Sequence, residues 1–320
     1  MNLGSTWAIE TESLSRRYGR GKQALNGLTL RLPRGGIHAI VGANGAGKST
    51  LFRILLGFLS PSSGSASVLG VDCQSLGPAE RARIGFVNEE HSLPAWMGVQ
   101  ELIAMQRRLY AAQQRWDEKL LEEVLGYFNV ERSQRVSELS RGERAGLSLA
   151  LALAQQPELL ILDEPTLGLD VVSKRAFLEA LLFCGQQRGA TIIYCSHQME
   201  EIERVADQLI VLERGELRHQ STPDEFCQRV RLWQLEFPVR APDLRGLPGY
   251  LESQTLDGLT ELLLFDQDHE AVLPRLEQLG VRRHASAAVG LDRAVNAVLA
   301  QRHAAPRRTA AAAVQEALDA

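Results

Sequence analysis

The sequence predicts an α/β fold: a mixed-sheet core with a helical subdomain, followed by a small C-terminal α+β appendage. Three observations carry this. The apolar run Ile37 to Val41 leads into a glycine-rich loop and then a second apolar segment, Leu51 to Leu59. That order reads as strand, loop, helix. The continuous apolar stretch Leu159-Leu160-Ile161-Leu162 reads as a strand of a parallel sheet covered on both faces. Between the two, from Ser92 to Gln156, helical spacing dominates and strand signals are few.

The elements follow in order. Trp7 to Ile9 and Leu25 to Leu32 read as strands around a turn-rich insert, Tyr18-Gly19-Arg20-Gly21-Lys22. Pro33-Arg34-Gly35-Gly36 turns the chain into the Ile37 strand. Ser60-Pro61-Ser62-Ser63-Gly64 ends the helix after the glycine loop, and Ser65 to Leu69 and Ile84 to Val87 read as further strands. Val99 to Ala111, Asp117 to Phe128 and Gly142 to Ala154 show helical spacing. Lys174 to Gln187 reads as a helix, Thr191 to Tyr194 as a strand and Met199 to Ala206 as a short helix. Gln208 to Leu212 and Leu217 to His219 form a hairpin around Arg214-Gly215-Glu216. A first domain is therefore expected over residues 1–226, with its helical part at about 92–156.

Residues 227–302 are expected to form an accessory domain. Leu232 to Val239 alternates like a half-buried strand, and Thr255 to Leu264 reads as a strand or part of a hairpin. Val272 to Leu279 and Leu291 to Gln301 read as helices. The Ala-rich tail, 303–320, reads as a loose helix or a disordered segment.

Composition narrows the class of protein. The 320-residue chain is 45% hydrophobic and 23% charged, the balance of a globular protein. A net charge of −4 gives no bulk reason to expect nucleic-acid binding. Lysine is scarce and arginine abundant, which reads as a codon-composition habit. Cys73, Cys184, Cys195 and Cys227 form no C-x-x-C pair and no zinc spacing, so a reduced cytosolic compartment is expected. No signal-peptide pattern is seen at the start. No stretch reaches the roughly 18 apolar residues of a spanning helix.

Four stretches carry chemistry. Gly42-Ala43-Asn44-Gly45-Ala46-Gly47-Lys48-Ser49-Thr50 fits G-x-x-x-x-G-K-[ST], the phosphate-binding P-loop. Its glycines let successive N–H groups point at one spot, and the following helix adds its positive end. Lys48 can reach the β- and γ-phosphates, and Ser49 can ligate Mg²⁺. Asp163 and Glu164 close the Leu159 strand, where one acid can hold Mg²⁺ and the next can orient water. Leu139-Ser140-Arg141-Gly142-Glu143 opens a helix with a good N-cap. It reads as a capped helix or as an anion-binding helix end. His197 follows the strand Thr191 to Tyr194, at the end where α/β sheets bind ligands, and reads as structural or catalytic.

Taken together, these stretches resemble the nucleotide-binding subunit of ATP-binding cassette (ABC) transporters. The chain order matches: P-loop, Leu-Ser-x-Gly signature, acid strand, Gly168-Leu169-Asp170, then His197. The resemblance covers about residues 5–225 and is greatest to bacterial exporter-type (ABC-2-like) subunits. It implies a P-loop NTPase cassette that binds ATP and Mg²⁺ and hydrolyses ATP. Tyr18 is implied to stack on adenine. Gly42 opens the loop, and Asn44, Gly45, Ala46, Gly47, Lys48, Ser49 and Thr50 cradle the phosphates. Ser49, Asp163 and Glu89 are implied around Mg²⁺, Glu164 as general base and His197 at the γ-phosphate. Ser140 and Gly142 would contact ATP held by an opposite subunit, with Asp170 at the dimer contact.

The implied partners are an integral membrane permease subunit and a second copy of the chain or a homologous subunit, with no nucleic acid. The implied location is cytoplasmic, peripheral on the inner membrane face. Two residues depart from the family pattern. Glu89 stands where glutamine is usual, and Arg141 stands in the signature where glycine is common. Arg141 either aids ATP or faces solvent. A soluble ABC-type ATPase acting on nucleic acid or ribosomes is the alternative.

Overall fold

The computed structural model describes residues 6–19, 21–111 and 115–300; the expected Ala-rich tail lies outside the described residues, as does Arg20 of the turn-rich insert. The chain divides into two compact units, one ending at Pro223 and one starting at Asp224.

In the first unit β1 (Trp7–Tyr18) and β2 (Lys22–Pro33) pair antiparallel. β3 (Ile37–Val41) follows, then the glycine loop and α1 (Lys48–Leu55). β4 (Ser63–Val68), β5 (Val71–Asp72), α2 (Pro78–Arg81) and β6 (Ile84–Val87) lead into the helical segment. That segment holds α3 (Val99–Ala111), α4 (Glu118–Tyr127) and α5 (Arg141–Ala154). β7 (Leu159–Asp163), α6 (Val171–Arg188), β8 (Thr191–Cys195), α7 (Met199–Val205), β9 (Gln208–Glu213) and β10 (Glu216–Ser221) complete the unit.

Two sheets result. The smaller has the order β2-β1-β4-β5 and is antiparallel. The larger has the order β10-β9-β3-β8-β7-β6, parallel from β9 to β6, with β10 antiparallel at one edge. The sheet core is therefore mixed. Every residue of β3 and β8 is buried, the mark of strands covered on both faces.

The first two strands run much further than the expected Trp7–Ile9 and Leu25–Leu32. Polar residues and four register shifts interrupt their alternation, so periodicity alone shortens them.

One core cluster joins the two sheets through α1, whose Leu51, Phe52, Ile54 and Leu55 are buried while Ser49 and Arg53 face outward. Burying each such side chain is worth about 1.5–3 kcal/mol. This burial anchors the helix whose N-terminus ends the glycine loop.

The second unit is introduced by α8 (Pro223–Gln228). β11 (Val230–Glu236), β12 (Tyr250–Leu256), β13 (Leu259–Phe265) and β14 (Arg283–Ala288) form an antiparallel sheet ordered β12-β13-β11-β14. α9 (His269–Gln278) packs Val272 and Leu276 against Trp233, Leu235, Leu262 and Leu264. α10 (Leu291–Ala300) ties to β13 through Arg293, which donates to Glu261 at 2.5 Å. Thr255 to Leu264 is thus a hairpin rather than one strand, turning at Asp257 and Gly258, both with positive φ.

Candidate functional site

Strand order places the site. β8 lies between β3 and β7, with Cys195 in register with both Ile40 and Asp163. The C-terminal ends of β3, β7, β8 and β6 therefore deliver the glycine loop, Asp163-Glu164, His197 and Glu89 to one rim of the sheet. Ligands of open α/β sheets bind outside that rim.

The glycine loop bends sharply. Gly47 sits at φ 106°, and a β-carbon there would come within 2.5 Å of the Ala24 carbonyl oxygen. The β9–β10 turn braces the loop from below, since Gly215 N–H donates to Ala46 O at 2.8 Å. Leu51 N–H is bonded to Gly47 O at 2.9 Å. The N–H groups before Leu51 belong to the first turn of α1, which has no intrahelical acceptors for them. Lys48 Nζ donates to Gly42 O at 2.5 Å, folding its ammonium back over the loop.

A cleft of about 260 Å³ opens here, and its wall includes Tyr18, Lys22, Asn44 to Thr50, Glu89, Asp163 and Glu164. Tyr18 Oη lies 3.4 Å from Thr50 Oγ1, and the Arg16 guanidinium lies over the Tyr18 ring. Burial pushes the Asp163 carboxyl above its ordinary range, opposed by hydrogen bonds from Cys195 and Ser49 and by Lys48. Burial does the same to Glu164, opposed chiefly by His197.

His197 Nδ1–H donates to Glu164 Oε2 at 2.8 Å, and His197 N–H reaches the same oxygen at 3.3 Å. Glu164 itself has φ 51°, the left-handed region that non-glycine residues seldom adopt. Its N–H is fixed to Cys195 O at 2.9 Å.

Ser140, Gly142 and Asp170 do not line this cleft. They gather at a second place, the junction of α5 and α6. Ser140 caps α5: its Oγ accepts from Glu143 N–H at 3.2 Å, and Glu143 Oε2 accepts from Ser140 N–H at 2.7 Å. Asp170 caps α6, accepting from the N–H groups of Val172 and Ser173 at 2.9 and 3.0 Å and from Ser173 Oγ at 2.7 Å. Gly142 touches Ser173 so closely that a β-carbon would lie 2.2 Å from its Oγ. Arg141 neither lines the cleft nor hangs free: its Nη2 donates to Leu167 O at 2.6 Å, beneath Gly168.

Two residues of this region carry no motif. Lys22 lines the cleft, with Nζ 3.8 Å from where a Gly45 β-carbon would stand. The chain has four lysines, Lys22, Lys48, Lys119 and Lys174, so two of the four meet at one cleft. That scarcity was the available signal. His91 is buried, and its Nε2–H donates to Pro165 O at 2.9 Å, pinning the Glu89 loop to the segment after Glu164. Burial brings its imidazole down to about 4; the Pro165 bond opposes this, and Arg141 and Arg144 reinforce it.

The donors suit a nucleoside triphosphate with Mg²⁺. Among the described residues no cluster of three or more His, Cys, Asp and Glu could hold a metal alone. Mg²⁺ is commonly held by one or two carboxylates together with substrate phosphates, which Ser49 and Asp163 beside the loop would allow.

Comparison with known proteins agrees with this geometry. A family model described as ABC transporter matches residues 25–167. Nod factor export ATP-binding protein I of Rhizobium meliloti (strain 1021) is 39% identical over 212 residues, 66% of this chain and 63% of that relative. The protein of that name from Rhizobium etli is 34% identical over 280 residues, 85% of this chain and 86% of the relative. The chain spans 63% and 64% of the Rhizobium meliloti and Neorhizobium galegae relatives. A solved ATP binding subunit of an ABC transporter superposes with TM-score 0.61 at 25% identity, over 69% of this chain and 92% of the other. For cbiO1 of Clostridium perfringens, part of the ABC transporter complex cbiONQ, the TM-score is 0.58 at 28% identity, over 69% and 90%.

Proposed function

The chain belongs to the ABC transporter family, and from that premise we propose that it is the ATP-hydrolysing subunit of an exporter. One observation carries the reading. A single cleft gathers the phosphate loop with Lys48 and Ser49, the acids Asp163 and Glu164, and the aromatic ring of Tyr18. The export direction rests on the relatives, which are named for Nod factor export.

In this account Tyr18 receives the base, and the loop N–H groups with Lys48 receive the phosphates. Ser49, Asp163 and Glu89 would hold Mg²⁺, which when bound would neutralise charge on the phosphate oxygens. Glu164 takes the proton of the attacking water. His197, already bonded to Glu164, orients it. Most of the rate enhancement is positioning and charge stabilisation rather than covalent chemistry.

The site is completed by a second copy. Ser140 and Gly142 lie at the start of α5, outside the cleft of their own chain, so they are free to cover a triphosphate held by a partner. Beside Asp170, Val171 and Val172 are 82% and 78% exposed, an apolar edge suited to such a contact. The membrane partner is expected at the groove of about 350 Å³ among Phe86, Ser92, Gln106, Tyr110 and Leu151. Exposed Trp96, Met105 and Leu109 belong to the same helical segment. No described helix is long and apolar enough to cross a membrane. A separate spanning partner and a peripheral position on the inner membrane face are part of the same proposal and rest on the export-subunit relatives. The domain division fits the same scheme, with the cassette ending near residue 226 and an accessory domain after it.

The test is Glu164→Gln. It should lower ATP turnover by about 10²–10⁴-fold while a fluorescent ATP analogue still binds. Turnover at the wild-type level would remove Glu164 from the role of base.

A further inference from the structure

Behind the rim, one buried carboxylate joins the two segments that carry Glu164 and His197. Glu201, near the start of α7, has a side chain only 7% exposed. Its Oε2 accepts three hydroxyl donors: Thr166 Oγ1 at 2.7 Å, Tyr194 Oη at 2.6 Å and Ser196 Oγ at 3.1 Å. Thr166 lies two residues beyond Glu164. Ser196 immediately precedes His197, and its Oγ also accepts from Gln198 N–H at 3.1 Å.

The other oxygen, Oε1, is buried without a hydrogen-bond partner among the described residues. The nearest cation is Lys174 Nζ, 4.0 Å away, which is itself held by Gln198 Oε1 at 2.5 Å. A carboxylate in this setting is costly unless its bonds are kept, because desolvation penalises each unmet acceptor. A hydrophobic residue of similar size would fill the space without that cost. The position instead presents one acceptor to hydroxyls from both segments at once. Burial holds Tyr194 Oη well above its ordinary range, so it remains a donor to Glu201.

We propose that Glu201 is a positioning residue for hydrolysis: it locks the Glu164–Pro165–Thr166 turn to the Ser196–His197 turn and so fixes the Glu164–His197 bond. This rests on the ATPase reading of the site. The bond between Glu164 and His197 spans two loops that follow different strands, β7 and β8. Strand pairing ends at Asp163 and Cys195. Beyond that point Glu164 N–H is held by Cys195 O, and the Glu201 hydroxyl network adds the next set of ties. Loss of the network leaves the glycine loop untouched, so it acts on the chemical step and not on nucleotide capture.

The experiment uses the full chain and six proteins: wild type, Ser196→Ala, Thr166→Val, Glu201→Leu, His197→Ala and the double variant Ser196→Ala with His197→Ala. Ser196→Ala and Thr166→Val each remove one arm with little change in volume, so they serve if Glu201→Leu does not fold. Turnover, ATP-analogue affinity and the thermal midpoint are read together, with the histidine ring signal of His197 followed by NMR and assigned through His197→Ala. Each single-arm variant should lower kcat by about tenfold or more, since ångström-scale misplacement costs about that much or more. The dissociation constant of the ATP analogue should stay within about threefold of wild type, a change of no more than about 0.7 kcal/mol. The His197 signal should move in both single-arm variants without nucleotide. Placing Ser196→Ala in the His197→Ala background should add little further loss. A purely structural Glu201 would lower the thermal midpoint and leave kcat and the His197 signal as in wild type, which would overturn the proposal. An inactive wild type that also fails to bind the analogue would instead refute the ATPase reading.

Discussion

His197 Nδ1 stands 2.8 Å from Glu164 Oε2, the two side chains reaching each other from the ends of adjacent strands β8 and β7. The bond ties the histidine at the rim to the carboxylate proposed to act on water. Burial raises the Glu164 carboxyl, and His197 is the largest influence holding it down. Glu164 must be ionised to act as base, so activity is lost as pH falls through its folded value. The acid limb of the pH–rate profile should therefore lie above the ordinary glutamate range. His197→Ala should move that limb to higher pH and lower kcat. An acid limb unmoved in His197→Ala would contradict the pairing.

Gly142 has no room for a side chain, because Ser173 Oγ would stand 2.2 Å from its β-carbon and Ser173 Cβ 3.0 Å. Gly142→Ala should cost about 1–3 kcal/mol through overpacking at the α5–α6 junction. Ser173→Ala should relieve part of it, because the nearest atom is gone while Ser173 Cβ remains. Thermal unfolding of the two single variants and the double variant checks this as a coupling energy.

Lys22 adds a second ammonium to the cleft that holds Lys48. Lys22→Gln should weaken ATP-analogue binding by about threefold to tenfold at low ionic strength, and less at high salt. A salt-independent effect would argue that Lys22 supports the fold of the loop and not the charge of the ligand.

At the opposite end of the sheet, Glu158 accepts from Arg83 at 2.8 Å twice, from Arg115 at 3.0 Å and from Arg34 at 3.1 Å. The Arg83 bonds, with those of Arg115 and Arg34, take its carboxyl down to about 2. The folded value is below the unfolded one, so the stabilisation is complete above the ordinary glutamate range. It fades as pH falls toward about 2. Glu158→Gln should therefore lose about 1–2 kcal/mol at neutral pH, allowing for partial solvent exposure. The gap to wild type should narrow between pH 4.5 and about 2, as read by urea unfolding at several pH values.

His91 has the same proton balance, set by burial in place of ion pairing. Its folded value, about 4, is below the ordinary one, so the unfolded chain takes up a proton first as pH falls. Stability should decline from about pH 6.5 to about 4 and then level off at this site. His91→Gln should flatten that slope.

What the sequence made legible was local in the chain. The P-loop is nine consecutive residues whose backbone chemistry needs that spacing, and Asp163-Glu164 ends an apolar run whose length marks a buried strand. The helical segment was readable because α3, α4 and α5 keep their apolar spacing. Contacts made only by folding were not readable. Lys22 reaches the cleft because β2 passes over the loop, and Arg141 turns to Leu167 because Gly168 leaves it space. Glu201 sits in an acidic helix, Met199-Glu200-Glu201, where its neighbour Glu200 is exposed and nothing in the pattern singles it out. β14, Arg283-His284-Ala285-Ser286-Ala287-Ala288, is an edge strand of mostly exposed small and polar residues, with no alternation to announce it.

The central claim is that each cleft is half of a site, completed by Ser140 and Gly142 of a second copy. Sedimentation of Glu164→Gln with and without Mg²⁺-ATP tests it most directly. The account predicts a monomer that becomes a dimer when ATP is added, and a return to monomer when Ser140→Arg is introduced. A Glu164→Gln protein that binds ATP to saturation and stays monomeric at every concentration measured would contradict it.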